Sequence, residues 1–295
     1  MKPLLSLLLL AYPMAAGEQG VNCSGPVVFP NAEVNVVVLP YDYLGANAVL
    51  ERSASAQRLS LLLQRNILFS LLKYPSIGSV QLVRRGTEPC EPGIVADQLL
   101  KKRSGSPRPL GPQKTAVMLW GNFYEEGDAL YVRSFLRLVR NYPEGEQLAM
   151  KVGDASFTGA MPVKTVAFPA TRITAAELRQ IDAQFRGLNK IRSEPDDSAP
   201  AREIPLDPAT PFSYSIARVQ GEWMYVQPMV SGPAGWVKAG AHLSDLPLRK
   251  KMPELSFLDG VVAYVFAAGA GPQTPASARW TAQAMDAMNR FAADA

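Results

Sequence analysis

The strongest alternation of apolar and polar positions runs from Lys114 to Arg140, KTAVMLWGNFYEEGDALYVRSFLRLVR. Two runs rich in Val, Leu, Phe, Tyr and Trp flank the polar turn Glu125-Glu126-Gly127-Asp128, in which Gly127 is free to take a positive φ. The pattern predicts a long β-hairpin. On its second strand Leu130, Val132, Leu136 and Leu138 share a face with Ser134, while Tyr131, Arg133, Phe135 and Arg137 alternate aromatic with basic on the other. Side chains alternate between faces along a strand, so one face is core and the other meets solvent, a partner or a second packed layer. Upstream, VNVVVL (34–39) is a buried-strand run ended by Pro40. Leu59, Leu62, Leu63, Ile67, Leu71 and Leu72 recur at helical spacing behind Ser53 or Ser55 as cap, and Pro75 stops that helix. A short strand over 80–84 and a short helix over 92–102 lead through a basic, Pro/Gly-rich loop into the hairpin. The order is β-α-β-α-β-β, an α+β domain with a mixed sheet.

Past the hairpin, 148–152 and 163–168 are candidate strands. Thr174 with Glu177 three residues on is a capping box for a helix to Phe185, with Leu178, Ile181 and Phe185 on one face. Ser193–Arg202 (SEPDDSAPAR) is a charged Pro/Ser stretch that reads as a linker. Short strands separated by turn glycines between 203 and 246 suggest a small barrel. Residues 253–268 and 275–293 each carry an apolar stripe and predict an antiparallel helical hairpin. The expected organisation is a segment 1–17, an α/β domain with extension over 18–192, a linker over 193–202, a barrel over 203–246 and a helical hairpin over 250–295.

Two resemblances attach to these stretches. VNVVVLPY (34–41), the helix after it and AVMLWGNFYEEGDALYVRSFLRLV (116–139) resemble the amino-terminal α/β domain of the TolB family and the related domain of curli-secretion-type lipoproteins. The resemblance implies a domain that binds proteins or assembles into larger structures. YDYLG at 41–45 departs from the Pro-Phe sequence such domains often show there. GEWMYV (221–226) and GWVKA (235–239) resemble the late strands of bacterial SH3-like domains, which implies recognition of a peptide or of cell wall.

The chain opens with one Lys, an apolar run from Leu4 to Ala11 and the small residues Ala15-Ala16-Gly17, the pattern of a cleaved secretory signal. The run is shorter than the roughly 20 residues a membrane span needs, and no transmembrane anchor is expected. Two cysteines, Cys23 and Cys90, pair as one disulfide in an oxidising space, with two free thiols as the alternative. A periplasmic or secreted location is therefore expected. A net charge of +4 over 295 residues is too mild to argue for nucleic acid.

Candidate chemistry is sparse. The single histidine, His242, lies three residues before Asp245 and is either a surface or capping residue or the centre of a hydrolase. One histidine beside a disulfide pair disfavours zinc, and the carboxylate clusters fall in a turn and a linker. No phosphate loop or nucleophile elbow is present, and neither a cofactor nor a metal is expected. Two groups stand out for binding: the Tyr131, Arg133, Phe135, Arg137 stripe, and Trp223, Tyr225 and Trp236. The expected function is a non-catalytic binding or adaptor protein recognising an envelope protein or a cell-wall peptide. The alternatives are a cell-wall hydrolase or enzyme subunit using His242, and an oligomeric envelope secretion or assembly component.

Overall fold

The computed structural model describes residues 23, 28–29, 31–45, 50–51, 53–84, 90–100, 114–140, 148–152, 155–159, 165–207, 211–228, 232–239 and 247–294. The expected signal segment, the basic loop over 101–113 and His242 lie outside them. At the centre, β1 (Val34–Tyr43) pairs in parallel with β2 (Ile77–Gln81) on one side and with β3 (Thr115–Glu126) on the other. β3 turns through Gly127 (φ 63°) into β4 (Ala129–Arg140), in unbroken register from Glu126↔Ala129 to Thr115↔Arg140. β1 is apolar at nearly every position because it is covered on both faces. Val34, Val36 and Val38 face the helix α1 (Ala54–Ser70), whose first turn Ser53 caps by accepting from the Ala56 amide. Val37 and Leu39 face α2 (Pro92–Leu100) and the disulfide that joins Cys23 to Cys90, with Cα atoms 5.5 Å apart. The expected β-α-β-α-β-β order is thus present as a mixed sheet.

Both outer edges are extended by later parts of the chain. β5 (Leu148–Val152) and β6 (Ala155–Gly159) pair with each other as a hairpin. β7 (Thr165–Ala167) and β8 (Thr171–Thr174) then pair with β4. The capping box appears as expected: Thr174 and Glu177 satisfy each other at the start of α3 (Ala175–Leu188). At the other edge, β11 (Tyr214–Gln220) pairs antiparallel with β2 through Tyr214↔Ser79 and Ser215↔Gly78. It continues as a meander through β12 (Trp223–Pro228) and β13 (Gly235–Lys238). β9 (Lys190–Arg192) and β10 (Ala201–Glu203) close that end. The sheet reads β10-β9-β13-β12-β11-β2-β1-β3-β4-β7, with β8 also on β4.

The strands expected in a barrel of their own therefore continue the sheet of the first half. Residues 193–202, expected as a linker, form the turn between β9 and β10 together with the start of β10. The physical reason is a shared core: Phe212, Tyr214, Met224, Val226 and Val237 are buried in the same apolar cluster as Val36, Ile67 and Phe69. The seam is polar as well as apolar. Arg65, on α1, is fully buried and has no carboxylate partner among the described residues. Its guanidinium donates to Asn189 Oδ1 at 3.4 Å, Gln81 Oε1 at 3.3 Å and the Pro205 carbonyl at 3.3 Å, and its Cζ lies 4.8 Å from the centre of the Phe212 ring. Burial lowers its pKa. Gln81 Oε1 also accepts from the Phe212 amide at 2.8 Å, and the Tyr214 phenol donates to the Leu68 carbonyl at 2.5 Å.

The C-terminal helices pack on the α1 side. α4 (Pro247–Lys251) is followed by α5 (Glu254–Gly269) and α6 (Pro275–Asp294), the expected antiparallel pair, with Phe257 against Phe291 and Phe266 against Trp280. Asp259, almost fully buried on α5, anchors the pair to the end of α1: Lys73 Nζ donates to it at 2.7 Å, the Tyr74 phenol at 2.9 Å, and Arg249 of α4 forms an ion pair with it. Among the described residues no helix is long and apolar enough to cross a membrane.

Arg65→Ala removes three charge-assisted donors and leaves buried acceptors unpaired, so it lowers the unfolding free energy by about 3 kcal/mol or more. Arg65→Met, which keeps most of the volume, recovers only part of that loss. Urea unfolding of the three proteins measures this; a loss below about 1 kcal/mol for Arg65→Ala contradicts the clamp.

Candidate functional site

The odd-numbered face of β4 lies on the α2 side of the sheet. α2 packs over Ala116, Met118 and Val139 at the base of the hairpin. Toward the tip, Tyr124, Tyr131 and Phe135 are half-buried and Arg133 is exposed. Register places these side chains in rows across the two strands: Met118 beside Arg137, Trp120 beside Phe135, Asn122 beside Arg133, Tyr124 beside Tyr131. Trp120 and Phe135 stack with ring centroids 5.8 Å apart, and Tyr124 and Tyr131 stack at 5.3 Å with planes only 8° apart. Aromatic pairs and arginines thus alternate along the hairpin. β8 adds Arg172 beside Tyr131, where it pairs with Asp128 at 3.1 Å. Among the described residues no carboxylate pairs with Arg133 or Arg137, and the Arg137 Nε is buried without a hydrogen-bond acceptor. The Asp42 carboxylate, in the row of Asn122 and Arg133, is already held by Arg84.

Behind this face sits a fully buried polar triad. Ser134, between Arg133 and Phe135, points to the other side of the sheet. Its hydroxyl donates to Glu254 Oε1 at 2.5 Å and lies 3.0 Å from the Tyr41 phenol. Glu254 is wholly buried, and its Oε2 has no partner. Burial raises its pKa from an ordinary 4.5 to about 7, with the Ser134 hydrogen bond pulling the other way. Burial and the nearby Glu254 also raise the Tyr41 phenol. Gly121, opposite Ser134, has no room for a side chain: a Cβ there would lie 2.3 Å from the Arg133 carbonyl and from the Tyr41 ring. The alternation in the sequence pointed to the front of the hairpin. Nothing in it pointed to the rear, because the three partners come from β1, β4 and α5.

Trp223, Tyr225 and Trp236 also lie together. Trp223 and Trp236 are each 8% exposed and Tyr225 is half-buried. Register runs Arg218–Tyr225–Trp236–Arg192 across four strands. Arg218 stands over Tyr225 at 4.3 Å and over Trp236 at 5.3 Å, while Lys238 and Arg192 stand over Trp223 at 5.6 Å and 6.0 Å. Asp197 and Glu222 pair with Lys238, and Asp197 also with Arg192. The ring faces are therefore already occupied by the protein's own cations. Met224, on the opposite face, is core, as the alternation predicts.

A cleft of about 300 Å³ opens at the carboxyl end of β1, bounded by Tyr41, Asp42, Tyr43, Gln57, Gln64 and Arg84. Of its charged groups, Asp42 and Arg84 pair with each other and Glu51 adds a second carboxylate, while Gln64 donates to the Val38 and Leu82 carbonyls at 3.0 and 2.8 Å. No group of His, Cys, Asp and Glu able to hold a metal occurs among the described residues. No family model, curated protein or solved structure matches this chain.

The Glu254 carboxyl gives stability a defined pH dependence. Its folded pKa lies above the unfolded one, so its contribution is fully present below about pH 4.5 and is lost as pH rises toward about 7, by about 3 kcal/mol at most. Lys73, whose pKa burial and the neighbouring Arg249 and Arg290 lower, shifts stability in the opposite sense, so the difference from Glu254→Gln isolates the carboxyl. Urea unfolding between pH 5 and 8 shows the wild type falling relative to Glu254→Gln. Parallel curves contradict the assignment.

Proposed function

We propose that this chain is a non-catalytic, extracytoplasmic binding protein whose contact surface is the Trp120/Tyr131/Arg133/Phe135/Arg137 face of the β3–β4 hairpin. The observation that carries this reading is that face itself: stacked aromatics, and arginines without carboxylate partners among the described residues, left half-open beyond the end of α2. Aromatic side chains and arginines supply most of the energy at the centre of protein interfaces. The other conspicuous polar groups support the fold. Arg65 holds the seam, Asp259 holds the helical pair, and Glu254 backs the hairpin. The disulfide fits an oxidising compartment, in keeping with the secretory pattern of residues 1–17.

The resemblances of β1–β4 to TolB-type domains and of β12–β13 to SH3-like strands belong to the same reading, since both imply recognition of proteins or wall peptides. Between the two aromatic groups, the covered rings of Trp223 and Trp236 favour the hairpin as the contact surface. A protein partner is accordingly preferred to a cell-wall peptide.

A photo-crosslinking benzoylphenylalanine in place of Phe135, in the full oxidised chain in its producing cells, yields a light-dependent adduct. The same residue in place of Arg179, exposed on α3, yields none. No adduct from position 135, or equal adducts from both positions, sinks the hairpin as the contact surface.

A further inference from the structure

The chemistry of the hairpin face narrows what it binds, and the argument rests on the reading just proposed. Along a strand, residues two apart stand roughly 6.8 Å from one another on the same face. Arg133 and Arg137 are therefore separated by roughly 14 Å along β4, with Phe135 and its stacked Trp120 between them. Both cations lack an acidic partner among the described residues, whereas Arg172, at the end of the same face, has Asp128. The buried, unpaired Nε of Arg137 is a donor held at the edge of the apolar layer. Guanidinium groups bind carboxylates in bidentate fashion, and the half-buried Arg137 gains more from such a pairing than the exposed Arg133 does. A flat aromatic platform between two such cations suits an apolar or aromatic side chain flanked by two acids.

We propose that the β3–β4 face binds an extended acidic segment of a partner protein, in which two carboxylates four residues apart reach Arg133 and Arg137 and the residue midway between them lies on the Trp120–Phe135 stack. The spacing follows from the strand period: an extended segment laid along β4 presents every second side chain to the sheet at the repeat at which β4 presents its own. A helical segment does not match it, because four helical residues advance only about 6 Å. Complementary charge here sets orientation and encounter rate, and the central ring supplies the anchor.

The test is selection of a random linear-peptide library on the immobilised full chain with its disulfide intact. The expected result is enrichment of acidic-x-aromatic-x-acidic sequences. The consensus peptide, labelled and titrated by fluorescence anisotropy, then loses roughly tenfold or more in affinity on Arg133→Glu/Arg137→Glu, with the thermal midpoint unchanged. The same double variant used as bait selects lysine and arginine in place of the acids. Enriched peptides without carboxylates, no enrichment at all, or a single-stranded oligonucleotide binding more tightly than the consensus peptide each overturn the acidic assignment. The two readings fail separately. Non-acidic peptides that still lose affinity on Phe135→Ala keep the hairpin as the contact surface and remove only the partner class. Peptides indifferent to Phe135→Ala and to the double charge reversal remove both.

Discussion

A buried guanidinium held by neutral acceptors, with no counter-ion among the described residues, is the constraint on which the architecture turns. Arg65 sits inside α1, and its charge is solvated by carbonyl and amide oxygens from β2, from the end of α3 and from the segment entering β11. Desolvating a cation this far costs several kcal/mol unless those acceptors are in place. Two of them, from Asn189 and Pro205, are in place only when that part of the chain is docked against α1 and β2. The same docking lets Phe212 take its stack on Phe69 and lets Tyr214 pair with β2. The two halves of the chain therefore form one sheet, and the open edge of β2, a ready template for unwanted pairing, is closed by β11.

How much of this was legible in the sequence depended on the range of the interactions. Local patterns carried well. The hairpin around Gly127, the Thr174–Glu177 capping box and the α5–α6 pair all rest on residues a few positions apart, where periodicity and capping act. What could not be read was the joining of distant segments. SEPDDSAPAR is rich in turn formers and charge, which is the composition of a linker and equally of a tight β-turn. Only the pairing of Ile191 with Arg202, and the approach of Arg192 to Trp236, distinguish the two. The short strands after 203 carry the marks of a small barrel because they are short and separated by turn glycines. Whether such strands curl on one another or extend a neighbouring sheet depends on partners more than a hundred residues upstream: the edge of β2, the apolar cluster around Ile67 and Phe69, and Arg65.

The candidate site shows the same division. Alternation alone put Tyr131, Arg133, Phe135 and Arg137 on one face. It could not say which end of that face a helix covers, since that depends on where α2 comes to rest. For Trp223, Tyr225 and Trp236, alternation gave the shared face correctly for Trp223 and Tyr225. The cations that cover the rings come from β9, β11 and β13, and Arg192 reaches them through a strand that the sequence presented as the edge of a linker.

The front and the rear of β4 depend on each other. A strand with arginines on one side resists burial unless its other side is held firmly, because each Arg pulls toward water. Leu130, Val132 and Leu136 supply apolar contact, but Ser134 interrupts that row at the position between Arg133 and Phe135. The gap is filled by Tyr41 and Glu254, and Gly121 exists there to let the Tyr41 ring approach the sheet. A hydrogen-bonded carboxyl fits such a place better than another leucine for a geometric reason: it ties α5 to β4 through one directed bond rather than through a sliding apolar contact. The aromatic and basic side chains in front are thus carried on backbone fixed from behind, which limits the entropy lost when a partner is bound.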